Sequence, residues 1–442
     1  MQKAFVYVIN KKILIVVSIY GVRSLNRRNF FKFAAIGVAT LFTGCKLSTN
    51  TAEKSLEIKF LRQIVTKDLS TARCIMWQSD MPLKNPIVEV SLANGDEINT
   101  FPAKESTFTD DAKENFQYTA QIENLLPNKL YEYRVVDGDA ATAWYELKSS
   151  FKYKKFTAII FPDSQCGGKY DTWGGVACGA FERNPNANFF VNVGDLVDNG
   201  EDRAQWEDWL SRIERHLPLI PFAPVLGNHE TYTREWTFRP PISFLNYFAT
   251  PDNGLENFSR RFYSFDCGAA HFVVLDSQWD ELEHFAPNLI ETQKNWLRED
   301  LKASDKPWKI VFIHKDVLQY RINGKPNREE GFSDVGKIFM PEFENLGVDV
   351  VFSAHLHTYR NRGRIKNFQH DETGPLYILT GVSGNVRYGG LWIDHKLDKF
   401  VAPQPEIDNY LTLEGNNSIL SVKCFLPNGE MIDETTLKKL NL

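Results

Sequence analysis

Five short polar motifs in this chain contain the residue types that bind metal ions and transfer protons. In chain order they are Asp163-Ser164-Gln165, Gly194-Asp195-Leu196-Val197-Asp198, Gly227-Asn228-His229-Glu230, His314 and His355-Leu356-His357. Carboxylate, amide and imidazole groups in one site suit manganese, iron, zinc and similar ions. These residues therefore predict metal-assisted chemistry, provided that the fold brings them together.

Each motif directly follows an apolar run that is typical of a buried β-strand. The runs are FTAIIF (156–161), FFVNV (189–193), IPFAPVL (220–226), KIVFI (309–313) and DVVFS (349–353). The carboxyl ends of strands in an open α/β sheet meet at one edge, where ligands bind. A single polar residue at such a position often only caps a helix or a turn. Five motifs at five strand ends favour a common site.

A helical pattern between two of these strands indicates the domain class. In the segment 202–217 the apolar residues Trp206, Leu210, Ile213 and Leu217 recur at spacings that place them on one face of a helix. With the strands on either side, this segment predicts a βαβ unit. We therefore predict an α/β domain over residues 152–442.

The preceding region is patterned as strands alone. Predicted strands lie at 71–78, 86–95, 116–125, 130–138 and 143–151. Short alternating strands separated by turn residues predict a β-sandwich, which we assign to residues 46–151. This region contains no cluster of acids, bases or metal ligands, so we expect its role to be structural.

The order of the five motifs resembles that of the calcineurin-like metallophosphoesterase superfamily. The preceding sandwich is similar to a fibronectin type III domain: Trp77 suits its core aromatic residue, and Leu125, Pro127 and Tyr131 resemble its tyrosine corner. Together the two parts most resemble the purple acid phosphatase group, over residues 57–440. The resemblance implies a fibronectin III-like sandwich followed by a four-layer α/β/β/α metallophosphoesterase domain.

The resemblance also implies a centre with two divalent or mixed-valence metal ions, drawn from iron, manganese and zinc. The ligands of the first metal would be Asp163, Asp195 and His357, and those of the second Asp195, Asn228, His314 and His355, with Asp195 bridging the two. Gln165 stands where many relatives have histidine, and its amide oxygen would ligate more weakly.

Two further residues match catalytic positions of the family. His229 matches the histidine that stabilises the transition state or protonates the leaving group. Asp198 is placed like the carboxylate that orients that histidine in calcineurin-type sites. Purple acid phosphatases have a tyrosine at the position of Asp198, and that tyrosinate colours their iron. We therefore expect a protein that is not purple.

The implied activity is hydrolysis of phosphate monoesters by a metal-bound hydroxide. A phosphodiesterase acting on nucleotides or lipid head groups would use the same metal core, and the sequence does not separate the two. A surface binding protein with a degenerate site is the non-enzymatic alternative, favoured only by Gln165 and the missing tyrosine. The aromatic segments around Trp173 and at 232–236 follow site motifs, so either packing or lining the substrate pocket stays open for them.

Charge distribution separates the chain into a leader and an acidic body. Residues 1–44 contain seven of the 51 basic residues and no acidic residue, which leaves 44 basic against 56 acidic residues in the remainder. An acidic body disfavours nucleic acid as a partner. We expect a phosphorylated small-molecule substrate instead.

The leader has the order of an export signal. Arg27-Arg28 precedes an apolar stretch and then Cys45, as in twin-arginine and lipoprotein signals. We assign residues 1–45 to this signal and predict a periplasmic or cell-surface protein, with membrane attachment if Cys45 is lipidated. An N-terminal membrane anchor is the alternative, although the weakly apolar stretch 33–44 is shorter than the roughly 20 residues that span a bilayer. Cys166 and Cys178 allow either a disulfide or two separate thiols.

Overall fold

The computed structural model describes residues 54–439 and two strands near the amino terminus, β1 (Ala4–Ile9) and β2 (Lys12–Val17). These two strands pair as an antiparallel hairpin. They belong to one compact unit, Met1–Ala52, and the rest of the chain forms another, Glu53–Leu442. The predicted signal motifs at 26–45, including Cys45, lie outside the described residues. Within residues 54–439 no helix is long and apolar enough to cross a membrane.

The first part of the larger unit is the predicted β-sandwich. Its strands are β3 (Lys54–Ser55), β4 (Lys59–Ile64), β5 (Arg73–Ser79), β6 (Ile87–Leu92), β7 (Asn99–Asp110), β8 (Lys113–Ile122), β9 (Leu130–Asp137), β10 (Ala140–Ala141) and β11 (Tyr145–Lys148). The buried rings of Trp77 and Tyr118 stack in its core with centroids 5.6 Å apart. The Tyr131 hydroxyl accepts a hydrogen bond from the Leu126 N–H at 2.8 Å, which is the expected tyrosine corner.

The first sheet of the following domain continues directly from the sandwich. Its strands are β12 (Phe156–Phe161), β13 (Phe189–Asn192), β14 (Phe222–Pro224), β27 (Tyr410–Gly415), β28 (Ile419–Phe425) and β29 (Met431–Lys438). Strands β12, β13 and β14 are parallel neighbours, so their carboxyl ends lie at one edge. Strand β14 then pairs with β4 through Phe222 and Ile64, which joins both parts in one sheet.

A second sheet packs against the first. Its parallel centre is β16 (Ala270–Leu275), β17 (Trp308–Ile313), β21 (Val350–Ser353) and β24 (Leu376–Thr380). Strands β15 (Tyr263–Cys267), β22 (Tyr359–Lys366), β23 (Gln369–His370) and β26 (Phe400–Val401) extend it. The short pairs outside both sheets are β18 (Leu318–Gln319) with β20 (Gly331–Phe332), and β19 (Arg321–Ile322) with β25 (Trp392–Ile393).

Helices cover the outer faces of the two sheets. They are α1 (Asp171–Arg183), α2 (Arg203–Arg212), α3 (Ile242–Tyr247), α4 (Trp279–Leu282), α5 (Leu289–Ala303) and α6 (Asp334–Asn345). Helices α1 and α2 bury apolar residues against the first sheet, and α5 and α6 do so against the second. A third apolar core, with Phe156 packed on Phe272, fills the space between the sheets. The α/β/β/α order of layers is the predicted one.

Some predicted elements have different bounds in the structure. The predicted helix 202–217 ends at Arg212, and turns follow up to Leu217. Pro218 disfavours helical geometry at Leu217, so the helix cannot continue to the end of the predicted segment. All four residues of the predicted apolar face are nevertheless fully buried. The long strand β7 was not predicted, because most of its residues are exposed and it lacks an apolar run.

His271 on β16 lies between two carboxylates. Its Nδ1 is 2.7 Å from Asp266 Oδ1, and its Nε2 is 2.8 Å from Asp300 Oδ2. Burial lowers the pKa of this imidazole, but the hydrogen bonds and charges of the two carboxylates outweigh that effect and raise the pKa to about 9. The charged form is therefore favoured in the folded protein. Its stabilising contribution is complete below about pH 6.5 and is lost as the pH rises through about 9.

His271→Gln should lower the free energy of unfolding by about 2–3 kcal/mol at pH 6, and by much less at pH 9.5. Urea denaturation of both proteins across this range measures the difference. His284→Gln, at an exposed position, is the matched control and should change little at any pH. An equal loss for His271→Gln at both pH values would show that the charged pair does not stabilise the fold.

Candidate metal centre

The predicted ligands converge at the carboxyl ends of five strands, three in the first sheet and two in the second. The ligand atoms of Asp163, Asp195 and His357 all lie within 4.8 Å of one another, and the same holds for Asp195, His314 and His355. Asp195 belongs to both groups. The chain thus forms two adjacent three-residue groups with one carboxylate in common, as a bridged pair of metal ions requires.

Backbone carbonyls orient two of the histidines. His314 Nδ1 lies 2.8 Å from the Val193 carbonyl oxygen, and His357 Nδ1 lies 2.9 Å from that of Val386. In each of these bonds Nδ1 carries the proton and donates it to the carbonyl oxygen. The lone pair of Nε2 is then available to ligate a metal ion. His314 Nε2 points to Asp195 Oδ2 at 3.1 Å, and His357 Nε2 points to Asp163 Oδ1 at 3.4 Å. Such second contacts fix the tautomer that a metal ion needs.

Two amide oxygens complete the set of donors. Asn228 Oδ1 lies 3.1 Å from His314 Nε2. Gln165 is 1% exposed, and its Oε1 accepts no hydrogen bond within the described part of the chain. A buried acceptor without a donor is costly unless a cation or water meets it. Carboxylates, imidazoles and amide oxygens together fit iron, manganese or zinc.

The backbone is strained at three of these ligands. Asp195, His355 and His357 have φ angles of +49°, +75° and +53°, in the left-handed region that the backbone of non-glycine residues rarely adopts. Neighbouring groups hold this geometry. A Cβ atom on Gly227 would lie 2.2 Å from the Asp195 nitrogen, so only glycine fits beside that ligand. Strain of this kind concentrates at functional sites.

Glu230 joins two of the ligand loops, a role that its sequence motif did not indicate. Its Oε2 accepts hydrogen bonds from the N–H groups of Asp195 at 3.0 Å and Gly227 at 2.8 Å. Its Oε1 accepts from those of Leu196 and Val197 at 2.8 and 3.3 Å. One carboxylate therefore fixes the loop after β13 to the loop after β14. An acid directly after His229, within the same motif, was the available signal.

A buried ion pair joins the loops of the second sheet in the same way. Arg362 is fully buried and donates to both carboxylate oxygens of Asp316, at 2.9 and 2.7 Å. The Ser353 hydroxyl donates to Asp316 Oδ1 at 2.6 Å. Asp316 follows His314 by two positions and Ser353 precedes His355 by two, so this network positions both ligands. Spacing alone did not indicate it.

His229 sits over the shared carboxylate. Its Nε2 lies 4.0 Å from Asp195 Oδ2, and its backbone N–H donates to Asp195 Oδ1 at 2.9 Å. The expected orienting contact with Asp198 is present in a different form. His229 Nδ1 is 2.6 Å from the Asp198 backbone carbonyl oxygen but 3.7 Å from its carboxylate. The main chain at Asp198 therefore supplies the closer contact.

The electrostatics of the buried site are set by its histidines and acids. Burial alone would raise the pKa of Asp195, but the nearby His314 and His229 hold it below its ordinary value. Burial, with His314 beside it, lowers the pKa of His355 to about 3, so this imidazole is neutral. Burial and the charge of Asp195 raise the pKa of Glu230 to about 7. Negative charge thus concentrates on Asp195, where cations would bind.

Other polar and aromatic candidates have structural roles. Trp173 is buried in α1 and stacks on Trp209, with centroids 5.0 Å apart, so it does not line a substrate pocket. Cys166 and Cys178 are separate thiols. A disulfide would have needed the segment between them to bring the two sulfur atoms together. Cys178 instead lies within α1.

Family models match both parts of the larger unit. A model described as "Calcineurin-like phosphoesterase" matches residues 158–359, and one described as "Purple acid Phosphatase, N-terminal domain" matches residues 60–149. Together they account for the sandwich and for all five motifs.

Relatives and one solved structure agree with these matches. Purple acid phosphatase 23 of Arabidopsis thaliana is 30% identical over 52% of this chain and 46% of its own length. Fe(3+)-Zn(2+) purple acid phosphatase 12 of the same plant is 26% identical over 55% and 53%, respectively. The chain thus spans about half the length of these relatives. The purple acid phosphatase PPD1 of yellow lupin (Lupinus luteus) seeds has the same fold, with a TM-score of 0.71 at 16% identity, covering 86% of this chain and 74% of that one.

Glu230→Gln should loosen the two loops, because the new amide NH₂ group would face backbone N–H donors. We expect a loss of about 2–4 kcal/mol in the free energy of unfolding and roughly 10- to 100-fold weaker zinc binding. Urea denaturation and competition with a zinc chelator measure the two effects. Glu235→Gln, an exposed change nearby in the chain, is the control. Unchanged zinc affinity in Glu230→Gln would contradict a positioning role.

Proposed function

We propose that this chain, which carries a calcineurin-like phosphoesterase domain behind a purple acid phosphatase N-terminal domain, is a metal-dependent enzyme that hydrolyses phosphate monoesters. The observation that supports this most strongly is the pair of ligand groups sharing Asp195, with His229 above it. The phosphatase names of the relatives favour monoesters over diesters.

The donors divide between two metal ions. Asp163, Gln165, Asp195 and His357 would hold one ion, and Asp195, Asn228, His314 and His355 would hold the other. When bound, such ions polarise the phosphoryl group and lower the pKa of the attacking water. We propose iron, manganese or zinc as the pair, without the colour that a tyrosinate ligand would give, because Asp198 occupies that position.

His229 is the proposed general acid. Its Nδ1 proton stays in the hydrogen bond to the Asp198 carbonyl oxygen, which holds the ring in place. When Nε2 is also protonated, that proton faces the centre and can pass to the leaving oxygen as the ester bond breaks. The imidazole then returns to its neutral form. The Asp198 carboxylate, farther away, stabilises the charged ring through space.

We further propose that the protein is exported. The twin-arginine pair and the apolar stretch before Cys45 support this. Lipid on Cys45 would attach the enzyme to a membrane surface. The exported enzyme would then meet its substrate, a small phosphorylated molecule, outside the cytoplasm.

The purified protein, loaded separately with Mn²⁺, Fe²⁺ or Zn²⁺, should hydrolyse p-nitrophenyl phosphate faster than bis(p-nitrophenyl) phosphate. Steady-state kinetics from pH 4 to pH 9 test this. Preference for the diester would replace the proposed activity with a phosphodiesterase. Metal binding without any turnover would indicate a binding protein.

Variants of the acid test its assignment. His229→Ala should reduce kcat by about 10²-fold or more while both metals stay bound. Asp198→Asn should cost less than about tenfold, because the backbone carbonyl that orients His229 remains. Asp195→Asn removes the shared ligand and should abolish turnover and weaken both metal sites. Full activity in His229→Ala would contradict the proposed acid role.

Export is tested by replacing Arg27-Arg28 with two lysines in the full-length chain. Twin-arginine transport should stop, and the protein should remain in the cytoplasm of a bacterial host. Fractionation and the mass of the mature amino terminus report the outcome. Cys45→Ala should still be exported but should lose any lipid mass. Normal export of the lysine variant would exclude the twin-arginine route.

A further inference from the structure

A short loop beside His229 exposes two large aromatic side chains. The aromatic loop, residues 231–239, presents Trp236 with 55% and Phe238 with 48% of its surface exposed. Tyr232 lies half-buried beneath them and stacks on Phe238 at a centroid distance of 5.5 Å. Exposed aromatic clusters of this kind commonly mark a binding surface.

The cluster adjoins the proposed acid directly. The Trp236 ring lies edge-on to the His229 ring, with centroids 6.0 Å apart. The Tyr232 ring also lies edge-on to the His229 ring, with centroids 5.4 Å apart. A leaving group that accepts a proton from His229 Nε2 would therefore emerge next to Trp236. The leaving group is therefore the part of the substrate that would contact this loop.

The loop has a defined shape, although it is exposed. Trp236 has a φ of +60°, and its N–H donates to the Thr233 carbonyl at 2.9 Å. The Thr233 N–H donates to the Thr237 carbonyl at 2.8 Å, and Tyr232 forms a bridge with Phe238. A left-handed tryptophan costs energy and persists only where its neighbours enforce it. The rings are thus held in place before any ligand arrives.

Ion pairs connect the aromatic loop to the β7–β8 hairpin of the sandwich. Arg239 pairs at 3.0 Å with Asp110, at the end of β7, and also with Glu201. Arg234 pairs with Asp111 in the turn of the hairpin. Both cations of the loop are therefore already bound to acids. The loop offers an apolar face and not a second phosphate site.

We propose that Trp236 and Phe238 form a stacking platform for the leaving group, so that the favoured substrates are phosphate monoesters with a planar aromatic ring. This inference rests on the proposed phosphatase function and adds the substrate class to it. The ring could belong to an aryl group on the ester oxygen or to a nucleoside base. Both share the flat π-face that stacks on indole or phenyl rings.

The test compares phenyl phosphate, a nucleoside 5′-monophosphate and glycerol phosphate as substrates. Trp236→Ala should lower kcat/KM for one or both aromatic substrates about five- to tenfold relative to glycerol phosphate. The ratio between substrates cancels their different intrinsic reactivity. Trp236→Phe should restore most of the preference. Tyr153→Ala removes an exposed aromatic residue before β12, at the opposite edge of the sheet, and should leave the ratio unchanged.

Binding provides a readout that does not need turnover. Phenylphosphonate should bind the metal-loaded parent more tightly than methylphosphonate in calorimetry, and Trp236→Ala should remove that difference. Loss for phenyl phosphate alone would identify an aryl group as the ligand, and loss for the nucleotide alone a base; either supports the platform. Equal loss for all three substrates, or equal binding of both phosphonates to the parent, would overturn it. Absence of both turnover and phosphonate binding in the parent would instead refute the phosphatase function itself.

Discussion

The site depends on the cost of burying negative charge. Asp163, Asp195 and Glu230 are each at most 1% exposed, and an ionised carboxylate without partners is costly at such a depth. Glu230 is satisfied by four backbone N–H groups, whereas Asp163 and Asp195 lie beside the imidazoles of His357 and His314, respectively. Cations at the shared carboxylate would offset this charge. Metal binding and the stability of the ligand loops are therefore expected to be coupled.

A continuous sheet explains how distant motifs share one edge and why the sandwich affects the site. Asn228 and His229 lie in the loop that follows β14, and the neighbouring strand β4 belongs to the sandwich. The sandwich hairpin then extends to the aromatic loop through Asp110 and Asp111. The sandwich can in this way fix the position of groups that the proposed substrate would contact.

Strand-end motifs predicted the location of the site because parallel strands bring their carboxyl ends together regardless of sequence separation. The contacts within the site were less predictable. Asp198 was expected to act through its carboxylate, but a tight turn brings its carbonyl closer to His229. Glu230 and Arg362 act through backbone and long-range contacts, which motif spacing does not encode. The exposed strand β7 lacked the apolar run on which strand prediction relies.

In the proposed function, the metal ligands and the aromatic loop would contribute different parts of substrate selectivity. In the proposed enzyme, Asp195, His314 and the other donors would recognise what all phosphate esters share, so they would not distinguish one leaving group from another. Only groups beyond the phosphoryl position could do so, and the leaving oxygen would depart next to His229, the proposed acid. The rings of Trp236 and Tyr232 lie next to His229, and their loop is held by its own hydrogen bonds and by ion pairs to the sandwich. Rings held in advance lose little entropy when they bind a ligand, so a small exposed loop can dominate the choice of substrate.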